Sequence, residues 1–172
     1  MKRDAIVSLC GKFRYSLTRE WGDGGQLLFV MLNPSTADAL KDDPTIRRCI
    51  AFAKAEGFGA LEVVNLFAFR ATDPADLRRA GYPIGPDADW YISMAASQAE
   101  KVCLAYGAAT WADERIQAVL PLLRQAGHDT HCLHITKSGY PGHPLYLAGS
   151  KRLRAYDSLA IQMAMEGLPH VQ

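Results

Sequence analysis

Read for its apolar and polar positions, the chain alternates short β-favourable runs with longer stretches of helical spacing. Residues 5–9 (AIVSL) and 13–18 (FRYSLT) are β-favourable and separated by Cys10-Gly11-Lys12, which predicts a hairpin. Phe13, Tyr15 and Leu17 alternate with Arg14, Ser16 and Thr18, so one face is expected inside and the other in water. Residues 27–32 (LLFVML) are wholly apolar, the pattern of a strand covered by helices on both faces. Asp43-Pro44 is an N-cap and first-turn signature. The helix it opens carries Ile46, Ile50 and Ala53 on one face, and Gly57 stops it. Residues 61–67 (LEVVNLF) form the next strand, which completes a βαβ unit.

Further on, Asp73-Pro74 opens a short helix through Arg79, and Tyr82 to Pro86 is a loop. A helix over 87–100 turns Tyr91, Ala95 and Ala99 inward. Residues 102–106 predict a third strand of the series, stopped by Gly107. A helix over 112–125 contains Pro121, which should kink or shorten it. Residues 130–135 predict a fourth strand, followed by a loop to Pro144. Ser150 is expected to cap a last helix that buries Leu153, Tyr156, Ala160 and Met163. No repeat, low-complexity tract or linker interrupts residues 1–172, so one α/β domain is expected.

Composition changes this picture little. A net charge of +1, with 49% hydrophobic and 22% charged residues, gives no whole-molecule argument for nucleic acid or a membrane. The distribution is less even: residues 130–156 hold no Asp or Glu but include Lys137, Lys151, Arg152 and Arg154. Cys10, Cys49, Cys103 and Cys132 form no close pair, which argues against a metal or iron–sulfur site and for buried free thiols in a reducing compartment. The first residues, MKRDAIVSLC, lack the apolar core of a signal peptide, and no run approaches membrane-spanning length. A cytoplasmic location is expected, with no metal and no cofactor.

The residues that offer chemistry lie at strand ends: Asn33-Pro34-Ser35, Asn65 with Arg70, Tyr106-Gly107, and His143-Pro144. In open α/β sheets such ends hold the ligand. Asn33 and Asn65 each also fit a turn cap, and His143 an idle loop position. Asp38, Asp42 and Asp43 look like a metal cluster, yet helix entry explains them better. No P-loop and no GxSxG elbow is present.

Taken in order, the motifs resemble the uracil-DNA glycosylase superfamily. Met31-Leu32-Asn33-Pro34-Ser35 stands where that superfamily carries GINPG or GQDPYH, although Met31 replaces its glycine. Asn65 and Arg70 match its middle motif, with Ala71 instead of a proline, and His143-Pro144-Leu145-Tyr146-Leu147 matches its HPSPLS-like last motif. The chain also looks like a bacterial domain family of unknown function that carries LNPSTAD, DDPT, NLF and GHPLYL signatures. The resemblance implies a three-layer α/β/α sandwich with a mainly parallel four-stranded central sheet, plus the N-terminal hairpin at an edge or beside it. It implies hydrolysis of the N-glycosidic bond of a deaminated or modified pyrimidine flipped out of DNA.

In that reading Asn33 positions water beside Pro34 and Ser35, and His143 donates to the departing base. Asn65 reads the base edge near Arg70, and Phe67, Phe69 or Tyr106 stacks on the base. Lys137, Ser138, Lys151, Arg152 and Arg154 hold phosphates, and Leu145 fills the vacated stack. The superfamily's cluster-binding cysteines are absent, so no iron–sulfur cluster is implied. Two other readings use the same pocket: a module that binds nucleic acid or a nucleotide without cleaving it, and an enzyme of free nucleosides or nucleotides. In the last, acidic residues would matter more than the basic patch.

Overall fold

The computed structural model describes residues 1–81 and 83–167, so Tyr82 of the expected loop lies outside the described residues. Seven strands form one sheet: β1 (Lys2–Val7), β2 (Arg14–Glu20), β3 (Gln26–Met31), β4 (Ala60–Asn65), β5 (Lys101–Leu104), β6 (Thr130–Cys132) and β7 (Arg154–Ala155). Their order is β1-β2-β4-β3-β5-β6-β7. The pairs β4–β3, β3–β5 and β5–β6 are parallel, and β1–β2, β2–β4 and β6–β7 are antiparallel. This overturns the expected mainly parallel four-stranded sheet: the sheet is mixed and has seven strands. The hairpin extends one edge of the parallel strands, the first of its two expected placements, with Leu17 opposite Val63 on β4.

The helices are α1 (Pro44–Ala55), α2 (Pro74–Arg79), α3 (Ala88–Gln98), α4 (Asp113–Gln125) and α5 (Ser158–Met165). Among the described residues none is long and apolar enough to cross a membrane. Local chemistry explains their starts. Asp43 accepts a 2.8 Å hydrogen bond from the Ile46 amide with Pro44 in the first turn, and Asp73 accepts one from Ala75. Successive residues of β3 point to opposite faces. Leu28 and Val30 pack with Ile92 of α3 and Ile116 and Leu120 of α4, whereas Leu27, Phe29 and Met31 pack with Ile46, Cys49 and Phe52 of α1. The inner face of α3 is Ala88, Ile92, Ala95 and Ala96, and Tyr91 is only half-buried. Pro121 leaves α4 continuous to Gln125. Cys49, Cys103 and Cys132 are buried, whereas Cys10 is exposed, against expectation.

Two further expectations fail for identifiable reasons. The polar face of residues 13–18 is not in water, because β2 lies inside the sheet; Arg14 and Ser16 are buried. Ser16 donates to Glu62 at 2.6 Å, so the buried polar groups answer one another across strands. Ser150 does not cap a helix over Leu153 and Tyr156. The basic run at 151–154 lacks an apolar face, Arg154 pairs with Cys132 as β7, and α5 is capped by Asp157 and buries none of its residues.

Arg19 is the clearest structural charge. Its side chain is fully buried, holds Asp42 at 2.8 Å, and donates to the carbonyls of Thr18 (2.8 Å) and Asp38 (2.6 Å). These bonds anchor the loop that leads into α1. Arg19→Ala should therefore cost about 3–5 kcal/mol, the usual loss when one member of a buried pair is removed. Urea unfolding of the variant measures it.

Candidate functional site

Topology sets where a cleft must open. The chain leaves β3 towards α1 on one face of the sheet, and leaves the adjacent β5 towards α4 on the other. Neighbouring strands whose exits diverge leave a crevice beyond their carboxyl ends. A cavity of about 940 Å³ lies there, within the range of small-molecule sites. The registers bring the strand ends level, with Met31 beside Asn65 and Val30 beside Leu104.

Of the residues singled out in sequence, Asn33, Ser35, Asn65, Tyr106, His143 and Leu145 line this cleft. Asn33 is committed on its nitrogen side, where Nδ2 donates to the carbonyls of Ala71 (2.7 Å) and Pro34 (3.0 Å). Pro34 is buried behind the lining, and its carbonyl also accepts from the Ala71 amide at 3.0 Å. The loops after β3 and β4 are thus stitched together, and the amide oxygen of Asn33 is its remaining polar atom. Asn65 is 3% exposed, and its Nδ2 has no hydrogen-bond partner. A buried donor left unpaired is costly, of order 1–3 kcal/mol, and calls for an acceptor.

His143 opens a short 3₁₀ turn, Pro144–Tyr146, and its Nδ1 accepts the Leu145 amide at 3.2 Å. That bond requires Nδ1 to be bare, so in the neutral ring the proton sits on Nε2 as a donor. Burial pushes the imidazole below its ordinary pKa, while the carboxylate of Asp43 pulls it back up. Gly107, at φ +73°, turns the chain after β5 and gives its amide to Pro141 at 2.9 Å. A side-chain carbon there would lie 3.6 Å from that of His143, so the turn brings the two loops into contact. Tyr106 is buried, and burial pushes its hydroxyl well above the ordinary tyrosine value. It also borders a second cavity of about 480 Å³ beneath α5.

The aromatic assignments change. Phe67 is buried and does not face the cleft; it stacks on Trp111 at 5.5 Å, and Trp111 forms the wall. Phe69 lies elsewhere, edge-on to Phe13 at 6.0 Å, and Arg70 is outside the lining. The proposed phosphate contacts lie outside the cleft lining too. Lys137, Lys151, Arg152 and Arg154 line neither cavity, Arg152 donates to the carbonyls of Gly149 and Lys151, and Ser138 borders the second cavity.

Reading the chain by pattern missed Arg14, Trp111 and His134 in the cleft, and gave Asp43 no catalytic role. Arg14 is 2% exposed, donates to the Ala37 carbonyl at 2.8 Å, and leaves Nε unpaired. Burial lowers its pKa to about 10, opposed by Asp43, so it remains a cation at neutral pH. Arg14 looked like a surface position because its strand alternates. Trp111 sits in the 3₁₀ turn Thr110–Ala112, where no periodicity marks it. Its aromatic side chain just before a helix was the one available cue. Among the described residues no group of three or more potential ligands is placed to hold a metal ion.

Comparison with curated proteins and with solved structures returns no match. A family comparison does match, over residues 14–145, a stretch that begins and ends on two lining residues, Arg14 and Leu145. With strands β2 to β6 and most of the cleft between those limits, the chain belongs to the family described as Protein of unknown function (DUF1643).

Proposed function

We propose that the chain binds a pyrimidine nucleoside unit in this cleft and hydrolyses its N-glycosidic bond. The unpaired Nδ2 of buried Asn65 carries the proposal, because it calls for a fixed acceptor such as a base carbonyl. His143 Nε2 supplies a second donor, suited to the charge that collects on a departing base. Trp111, backed by Phe67, offers a face for stacking, and the oxygen of Asn33 can accept from an attacking water. The likeness of the LNPS and HPLYL motifs to those of the uracil-DNA glycosylase superfamily points to the same bond.

In the first form of this reading the base is flipped from DNA. A second form, a free nucleoside, is favoured by one observation: among the described residues the cleft is lined by a carboxylate, Asp43, and by no lysine, and the cation that lines it, Arg14, is buried. Both are tested by incubating the protein with 2′-deoxyuridine, uridine and a single-stranded oligonucleotide containing deoxyuridine, and measuring uracil release chromatographically. Release from the oligonucleotide alone selects the DNA form, and release from free nucleoside selects the other. Uracil released from none of the three overturns the reaction.

A further inference from the structure

We infer that the carboxylate of Asp43, and not the amide of Asn33, is the catalytic base of the cleft, taking the proton from the water that attacks the sugar. The inference rests on the glycosidic reading above and assigns its missing base. Asp43 is the one Asp or Glu among the described residues that line the cavity. Asn33 cannot take a proton, since an amide is not a base near neutral pH, and its nitrogen is already bound to two carbonyls.

Asp43 is held in place from behind. Its Oδ1 accepts the Ile46 amide at 2.8 Å, which fixes the carboxylate to the first turn of α1. Its Oδ2 has no hydrogen-bond partner among the described residues, and the side chain makes no ion pair there within 4 Å. The neighbouring Asp42 is used up by Arg19 and Arg3 and lies outside the lining. The charge of Asp43 reaches two groups on other elements, the buried guanidinium of Arg14 on β2 and the imidazole of His143. The carboxylate also occupies the N-terminus of α1, where a phosphate would otherwise be welcome, so the cleft suits the sugar and base more than a phosphate.

The step balances without a co-reactant. Water oxygen bonds to the anomeric carbon as the carbon–nitrogen bond breaks, and that electron pair leaves with the base. One water proton goes to Asp43 and the other stays on the new sugar hydroxyl. The base, hydrogen-bonded by His143 and Asn65, is then protonated from solvent as Asp43 returns its proton, giving free base and free sugar.

The test exploits the fact that Asn and Ser cap helices about as well as Asp. Asp43→Asn and Asp43→Ser should melt within a few degrees of the wild-type chain, still show the wild-type quench of tryptophan fluorescence on binding uridine, and release uracil about 10²-fold more slowly. The same quench and melting temperature with wild-type turnover in both variants overturns the role of Asp43 and leaves the glycosidic reading standing. A wild-type chain that binds uridine and releases no uracil from any substrate overturns that reading, and this inference with it.

Discussion

Asn65→Leu should be at least as stable as the wild-type chain and nearly inactive. The two expectations arise from one atom. Nδ2 of Asn65 is buried without a partner, so the unliganded protein carries its desolvation cost. Leucine has a similar volume and no polar atoms, and it removes a penalty of order 1–3 kcal/mol from a position enclosed by packed strand ends. On the proposed reading the base loses the donor that holds its edge, and removing one such donor commonly costs on the order of 10²–10³-fold. Thermal melting and single-turnover uracil release measure the pair of effects. A marked fall in melting temperature would instead mean that Asn65 serves the fold.

His143→Ala should slow base release by about 10²–10³-fold, the usual worth of a donor aimed at developing negative charge. The pH dependence follows from its hydrogen bond and the direction of its shift. The neutral ring accepts the Leu145 amide on Nδ1 and donates from Nε2, and burial holds its pKa below the ordinary imidazole value. Protonation would place a second proton on Nδ1, facing the Leu145 amide, and would open the turn that seats the ring. Turnover should therefore be level above about pH 6.5, the ordinary value for histidine, and fall as the pH drops below it. Stability follows the same sign. A histidine whose folded pKa is depressed binds fewer protons when folded, so its contribution is complete above the unfolded value and is lost as pH falls through the folded one. Rate and melting profiles from pH 5 to 8 check both, and the acid fall should be absent from the residual rate of His143→Ala.

Much of the scaffold was legible because it depends on local rules. The apolar run at 27–32 read as a doubly covered strand, and Asp43-Pro44 and Asp73-Pro74 read as helix starts. Strand ends that carry Asn33, Asn65 and Tyr106 implied a shared rim once β3, β4 and β5 ran parallel. The burial of the hairpin's polar face was not legible. Alternation at 13–18 is the same for a strand at a wet edge and for one inside the sheet, and only pairing with β4 makes Arg14 and Ser16 interior. The tail failed for a related reason. Ser150 has the form of a cap, but residues 151–154 find a partner in β6 that no local pattern announces.

The site divides along the same line. By itself the sequence determined the strand-end residues Asn33, Asn65, Tyr106 and His143, because periodicity and the breaks that end it are written in neighbouring positions. Tertiary structure alone decided what those residues do. It tied the nitrogen of Asn33 into a loop stitch, left that of Asn65 unpaired, put Trp111 in front of Phe67, and brought the α1 cap Asp43 and the buried Arg14 to the same cavity. Those outcomes depend on which atoms from distant segments meet and which polar groups go unanswered, and such pairings exist only once the chain has closed on itself.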